Sequence, residues 1–373
     1  MPPATILSRF SMVRPRYEVP QADSLAWLAA AYAAADAGGE PPPDQVERWS
    51  RLLGRCACPP AKIANRSFAI PDLGTRDWAD TQLYDVPRRP RGPGTGVRSE
   101  LFAALVRPYL DTLYAADATA PDELIHVTCT GYVSPSPAQE LVARRAWETR
   151  VTHAYQMGCY AAIPAVRLAA GAVASGGEHE RVDIVHTELC SLHFDPSDHS
   201  MEQMVVHSLF ADGIVRYSAT RDDGRPGLRV RAVHERILPG TSELMSWRVG
   251  DHGMAMTLAR DVPERIAGAL RGFTTELFAR GGLHVAALRD AVAAVHPGGP
   301  RIIDGVRDVL ELSDAQVATS RAVLLERGNM SSATLPHVWM RLLADPAVPV
   351  GTIIPSFAFG PGLTICGALL EKC

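Results

Sequence analysis

Apolar positions along the chain alternate between two spacings, one of strands and one of helices. Leu124 to Thr130 is a short apolar run closed by a Gly/Pro/Ser loop, and Val182 to Leu192 is a second such run; both predict buried strands. From Arg98 to Ala116 apolar residues recur every three to four positions, which predicts a helix. Pro137 to Glu148, Asp198 to Leu209, Pro263 to Ala279, Ser313 to Glu326 and Ser332 to Ala344 read the same way, with Pro336 limiting how the last one begins. Ile214 to Tyr217, Leu228 to Ile237 and Glu243 to Arg248 read as strands. Near the end, Thr352 to Phe359 and Leu363 to Leu370 read as two strands around the turn Gly360-Pro361-Gly362. Residues 1–36 carry helical patterning, and the alanine-rich Leu25 to Ala35 reads as a short amphipathic surface helix. A further helix is expected around Gln45 to Leu53, between the loops Gly38 to Asp44 and Val86 to Gly96. Tyr155 to Ala174 is a small-residue helical segment opening at Gly158-Cys159. Strand–helix alternation in both halves predicts an α/β architecture, with a seam near Arg221 to Gly227.

Composition narrows the function. At 373 residues the chain has room for two or three domains or one duplicated unit. Its 37 basic and 41 acidic residues give a net charge of −4, without the basic surplus of a nucleic-acid protein. Lys62 and Lys372 are the only lysines, which argues against Schiff-base chemistry. There is no P-loop motif, and Gly92, Gly94 and Gly96 miss the dinucleotide spacing. No apolar run reaches the ~18 residues of a membrane span, and Met1 to Arg16 has no signal-peptide core. Seven cysteines, an odd number, suit a reducing cytoplasm better than a disulfide framework. His186, Cys190, His193, His199 and His207 crowd one window, and Cys56 and Cys58 another. None has a recognised zinc spacing with a matching second pair, so no metal site is expected.

Three residues could carry chemistry. Cys159 follows a glycine and opens a helix-like run, where the helix dipole favours a thiolate; the plain alternative is a buried core cysteine. His296 lies in Val295-His296-Pro297-Gly298-Gly299-Pro300, a rigid setting for a proton carrier or an ordinary loop histidine. Asn329, in Gly328-Asn329-Met330-Ser331-Ser332, is either an amide donor beside an oxyanion or a helix cap. Order alone fits several enzyme types.

The words around these residues resemble the type III polyketide synthases, the chalcone-synthase-like branch of the thiolase superfamily. Tyr155-Gln156-Met157-Gly158-Cys159-Tyr160-Ala161-Ala162 is similar to that family's nucleophile segment, and Leu209-Phe210-Ala211-Asp212-Gly213 to its gatekeeper segment. His296-Pro297-Gly298-Gly299-Pro300, Gly328-Asn329-Met330-Ser331-Ser332 and Phe359-Gly360-Pro361-Gly362-Leu363-Thr364 resemble its histidine, asparagine and C-terminal glycine segments. Glu188-Leu189-Cys190-Ser191-Leu192-His193-Phe194 looks like the bacterial members. A related initiating ketosynthase usually shows His-Gln-Ala-Asn where this chain has His296-Pro297-Gly298-Gly299. The likeness runs from about residue 124 to the end.

The resemblance implies a five-layer αβαβα fold of two similar halves, 1–225 with the nucleophile and 226–373 with the histidine and asparagine, in a homodimer. It implies Cys159 as acyl acceptor, His296 and Asn329 as its partners, and Phe210 at the mouth of the cavity. Acyl and malonyl thioesters of CoA or phosphopantetheine are the implied substrates, with no cofactor. A thiolate–imidazolium pair is the expected resting state. Met256, Cys190, His193, Gly131 and Ser331 are the expected cavity positions, with His193 either orienting a polar intermediate or narrowing the space. Ile163-Pro164 replaces a Gly-rich pair, so the helix is expected to start late or kink. Ser136 stands where many relatives place a methionine that crosses to the partner. Arg51, Arg55, Lys62 and Arg66 lie near the segment that binds CoA phosphates in relatives, or form a solvated helix face; Arg88, Arg89 and Arg91 offer a patch for an acyl carrier protein. The implied reaction is decarboxylative Claisen condensation with pyrone or resorcinol-type cyclisation. The alternatives are a single-step ketosynthase or acyltransferase and a non-catalytic acyl-binding subunit.

Overall fold

Nine strands join in one mixed sheet in the computed structural model, which describes residues 4–75, 77–177 and 180–373. Along the chain come β1 (Thr5–Val13), β2 (Tyr17–Pro20), α1 (Gln21–Ala37), α2 (Pro43–Cys56), β3 (Asn65–Phe68), α3 (Thr95–Leu113), β4 (Glu123–Thr128), α4 (Pro137–Arg144), β5 (Arg150–Tyr155), α5 (Ala162–Ser175), β6 (Val182–Leu189), α6 (Met201–Leu209) and β7 (Asp212–Arg221). After a turn follow β8 (Leu228–Ile237), β9 (Met245–Gly250), β10 (Gly253–Leu258), α7 (Val262–Arg280), β11 (Ala294–Val295), α8 (Pro300–Leu310), α9 (Ala318–Arg327), α10 (Thr334–Ala344), β12 (Ile353–Gly360) and β13 (Thr364–Lys372).

The sheet order is β11-β12-β13-β8-β1-β7-β6-β4-β5. Strands β5, β4, β6, β7 and β1 come from the first half of the chain and β8, β13, β12 and β11 from the second. They meet where Thr5 to Leu7 of β1 pair with Leu228 to Val230 of β8. The expected boundary at 225/226 falls in the turn between β7 and β8, and the sheet continues across it. Helix α5 packs on β4, β6 and β7 and also on β13, while α10 touches both β7 and β11, so these two lie between the halves. Helix α7 covers β8 and β13. All eight residues of β6 are buried, as a strand covered on both faces requires.

Several elements differ from expectation. The first 36 residues hold two strands before α1, not one helical stretch. Pairing of β1 with β7 shifts register between Ser8 and Ser11, and Arg9 there has φ +53°. That bulge breaks the two-residue alternation that would have marked a strand. Helix α1 is not amphipathic: Trp27, Leu28, Ala29, Ala31, Tyr32, Ala33 and Ala34 are all buried, the alanines allowing neighbours to approach closely. Strands β5 and β10 and helix α8 were not legible. Pro300 is the first residue of α8, where a missing N–H costs nothing. Pro164 is the third residue of α5, and Pro336 the third of α10. Both fall in a first turn, whose N–H groups have no intrahelical partner, so α5 is not broken by its proline. Ser136 caps α4 by a reciprocal capping box with Gln139 and bonds His153 Nε2 at 2.8 Å. Among the described residues no helix is long and apolar enough to cross a membrane.

Candidate active site

The Cys159 segment is held by backbone geometry. Strand β5 ends at Tyr155, Gln156 and Gly158 take φ of +61° and +74°, and a single turn, Gly158–Tyr160, precedes α5. Cys159 therefore stands one turn ahead of the helix rather than opening it. A Cβ on Gly158 would lie 2.9 Å from Cδ of Pro361, so glycine is required by both conformation and space. The Gly158 N–H donates to Cys129 Sγ at 2.9 Å, which fixes the turn from beneath. The Cys159 sulfur lies 4.0 Å from Ser331 Oγ.

His296 and Asn329 arrive from the second half. The His296 N–H donates to the Phe357 carbonyl at 2.7 Å, and the His296 carbonyl accepts from Gly298 N at 2.8 Å. Its ring is 1% exposed, and neither ring nitrogen has a hydrogen-bond partner. Asn329 Nδ2 donates to the Gly298 carbonyl at 3.3 Å, and its Oδ1 accepts from Ser331 N at 2.9 Å. Its backbone pairs with the Phe210 segment, donating to Leu209 O at 2.9 Å and accepting from Ala211 N at 2.8 Å. One asparagine thus ties together the His296 loop, the Ser331 turn and the Phe210 segment. Ser331 is left-handed at φ +50°, a strained conformation for serine.

Burial dominates the electrostatics. It pushes the Cys159 thiol up to about 12, opposed by Ser331 and Asn329 as donors and assisted by the charge of Glu188. Burial alone pulls the His296 ring down to about 3. Each group is neutral by itself in this arrangement, and no hydrogen bond joins ring to sulfur. A thiolate–imidazolium pair needs a direct contact between the two groups to offset that desolvation.

A cavity opens at the sulfur, lined by Cys129, Thr130, Cys159, Cys190, Phe210, Met245, Trp247, Met256, Ser331 and the Gly158 and Pro361 turns. Of the expected cavity residues, Cys190, Met256, Ser331 and Phe210 line it. Gly131 does not: a Cβ there would strike the Phe102 ring at 2.1 Å, so this glycine exists for packing. His193 lines a neighbouring cavity. Its Nε2 donates to the Thr130 carbonyl at 2.7 Å, and its Nδ1 accepts from Met254 N at 3.2 Å. With both nitrogens engaged it narrows space and cannot orient a polar intermediate. Arg55 and Lys62 are exposed, and Arg51 pairs with Glu47 at 2.8 Å. Arg66 is fully buried and serves carbonyl groups, so it cannot bind phosphate.

Sequence reasoning missed Cys129, Thr130, Met245 and Trp247 as lining residues, and Glu188 behind them. Glu188 accepts from Cys129 N and Thr130 Oγ1, each at 3.0 Å, and from Ser332 Oγ. A buried glutamate inside an apolar strand was the one available signal. The crowded histidines are otherwise occupied. His186 bonds Ser332 and Tyr217, His199 pairs with Asp36 and His207 bonds Tyr32. Among the described residues no three His, Cys, Asp or Glu side chains are grouped to hold a metal.

A sulfur on a tight turn in the first half of an α/β sheet, with a buried imidazole and an amide supplied by the second half, is the arrangement of a thiolase-like fold. Residues 229–373 match the family model of chalcone and stilbene synthases, C-terminal domain. Type III polyketide synthase C of Arabidopsis thaliana is 30% identical over 227 residues, 58% of each chain. The 1,3,6,8-tetrahydroxynaphthalene synthase of Streptomyces coelicolor is 32% identical over 252 residues, 66% of this chain and 65% of that one. The chain thus matches somewhat under two thirds of the length of these relatives. The crystal structure of PKS-I from the brown alga Ectocarpus siliculosus has the same fold, with a TM-score of 0.86 at 24% identity over 100% of this chain and 99% of that one. The chain is thus similar to the type III polyketide synthases, and its residues 229–373 to the C-terminal domain of the chalcone and stilbene synthases.

Proposed function

We propose that the protein is a decarboxylative condensing enzyme that uses acyl and malonyl thioesters. The observation that carries this reading is the cavity at the Cys159 sulfur: Ser331 and Asn329 offer hydrogen bonds to the sulfur, and apolar and sulfur-bearing side chains line the space. Cys159 attacks the acyl thioester and expels the carrier thiol. The proton leaves sulfur for the unpartnered His296 ring only when charge develops on both, which creates a dipole without net charge in a dry site. Malonyl thioester then loses its carboxylate as CO2, and amide and imidazole N–H groups stabilise the enolate oxygen. Removing one such donor typically costs about 2.7–4 kcal/mol of barrier. The enolate carbon attacks the acyl-Cys159 carbonyl and forms the new carbon–carbon bond. Ring closure to a pyrone or resorcinol completes the scheme.

CoA is the proposed carrier, with Arg55 and Lys62 as exposed cations for its phosphates and an acyl carrier protein as the alternative donor. Among the described residues no strand pairs with the outer edge of β5, which suits a homodimer formed by a second copy there. Seven free cysteines suit a reducing cytoplasm. The test supplies purified protein with malonyl-CoA and a panel of acyl-CoAs and follows CO2 and product mass. Condensation products with CO2 release are expected. Acyl transfer without CO2 would instead indicate a single-step acyltransferase, and no adduct on Cys159 a binding-only subunit. Cys159→Ala is expected to abolish loading; His296→Ala is expected to keep some loading and lose most condensation. Equal loss in both would assign the imidazole to thiol activation alone.

A further inference from the structure

Glu188 is fully buried behind the reaction cavity, and the reaction scheme leaves it unused. Among the described residues no Lys or Arg pairs with it, and its partners are neutral donors. The Cys129 N–H and the Thr130 hydroxyl reach Oε2, each at 3.0 Å, and the Ser332 hydroxyl reaches Oε1. A carboxylate that takes three donors is satisfied, whereas the protonated acid needs an acceptor for its own O–H.

Two chains of hydrogen bonds decide between those forms. His186 Nδ1 lies 3.0 Å from Ser332 Oγ, and His186 Nε2 lies 3.2 Å from the Tyr217 hydroxyl. Tyr217 is fully buried, and Nε2 is its hydroxyl's one partner among the described residues, so the hydroxyl donates. That places the ring proton on Nδ1, which donates to Ser332 and leaves the serine hydrogen for Glu188. The Thr130 side runs the same way. Thr128 Oγ1 accepts from Thr130 N at 3.2 Å and has Thr130 Oγ1, also at 3.2 Å, as its one acceptor among the described residues. Protonating Glu188 reverses one chain and strands a buried hydroxyl hydrogen at its far end. The other titratable groups that face the chains are held neutral by burial. They are the thiols of Cys129, Cys159 and Cys190 against Glu188, and the rings of His126 and His337 against His186.

We propose that Tyr217, acting through His186 and Ser332, is a positioning residue that locks Glu188 in its ionised form, and that this fixed negative charge holds Cys159 as a thiol until substrate draws its proton to His296. The proposal deepens the condensing-enzyme reading and rests on it for the use made of the thiol. Its test uses no thioester, so the two fail separately.

Tyr217→Phe keeps the ring and its stack on Phe10, 5.2 Å away at 14°, and removes only the terminal hydroxyl. Infrared difference spectra near pH 7 are expected to show a protonated-carboxyl band in Tyr217→Phe that is absent from the native protein and from Tyr217→Phe/Glu188→Gln. The second readout is modification of Cys159 by methyl methanethiosulfonate, followed as the mass of its peptide. A thiol that ionises about one pH unit lower gives about tenfold more thiolate of lower nucleophilicity, a net gain of roughly threefold in rate. That gain is expected in Tyr217→Phe, in His186→Leu and in Glu188→Gln, with no further gain when Tyr217→Phe is added to Glu188→Gln. An equal gain from Tyr217→Phe with and without Glu188 overturns the proposal. So does a Tyr217→Phe or His186→Leu protein that melts with the native one and shows neither band nor gain. A native protein that does not condense, with the gain and its dependence on Glu188 intact, overturns the enzymatic reading and leaves the lock standing.

Discussion

Gly158 carries two constraints, a left-handed φ and a neighbour, Pro361, where a Cβ would stand. Gly158→Ala is expected to destabilise the protein by about 1–2 kcal/mol in urea titration, from the left-handed conformation before any displacement of Pro361. It should also slow Cys159 alkylation, because the turn and the sulfur move together. An alanine variant as stable and as reactive as the native protein would show that the turn is held by something else. At this scale the candidate residues were legible in the chain, because Gly158-Cys159, His296-Pro297 and Asn329 stand in distinctive words. Their protonation was not. The helix dipole suggested a thiolate, whereas desolvation in the folded cavity drives the thiol the other way. Gly131 fails for the same reason: an absent side chain says that something is close, and only the fold says that it is Phe102.

Between elements, the most consequential side chain is Arg66 of β3. Its Nη1 donates to the His207 and Phe210 carbonyls, both at 2.7 Å. Its Nε donates to Gln21 Oε1 at 2.8 Å and its Nη2 to Ser24 Oγ at 3.0 Å. One guanidinium thus joins β3, α1 and the end of α6, and holds the backbone of Phe210. Arg66→Met leaves these acceptors buried and unpaired, at a cost of about 3 kcal/mol or more. Arg66→Lys recovers part of that, since a single ammonium reaches fewer of them. Loss of stability below about 1 kcal/mol in Arg66→Met would mean that water reaches the carbonyls. From sequence this arginine looked like one more member of a basic cluster with Arg51, Arg55 and Lys62. Helical spacing groups residues that share a surface, and it does not see the strand that turns Arg66 inward. The long strands and helices, such as β6, β8 and α7, announced themselves by period and length. β1 was hidden by its bulge, and the two-residue β11 is too short for any period to register.

Across the described residues of the whole molecule, burial holds six of the seven buried histidines far below the usual imidazole value. Burial pulls His126, His186, His296 and His337 down to about 3, and His193 and His207 to about 4. A histidine whose folded value is depressed stabilises the protein fully above its unfolded value near 6.5, and that stability is lost as pH falls toward the folded value. Each contributes up to about 1.4 kcal/mol per pH unit in that window. Asp212, raised by burial to about 6, and Glu188, raised in the same way, act in the opposite sense and are fewer. The urea midpoint is therefore expected to fall steeply between pH 6.5 and 4. A midpoint that stays level or rises there would place these imidazoles in contact with acids or water.

The sequence by itself determined the α/β alternation, the family likeness and the three residues on which the chemistry is proposed to turn, since each of these is written in local order and local spacing. Tertiary structure decided which of them meet, which cavity positions face the sulfur, and which basic residues are spent on carbonyls. Those depend on contacts between residues more than a hundred positions apart. Burial, which sets the charge of every group in the site, is a property of the folded whole and has no local signature in the chain.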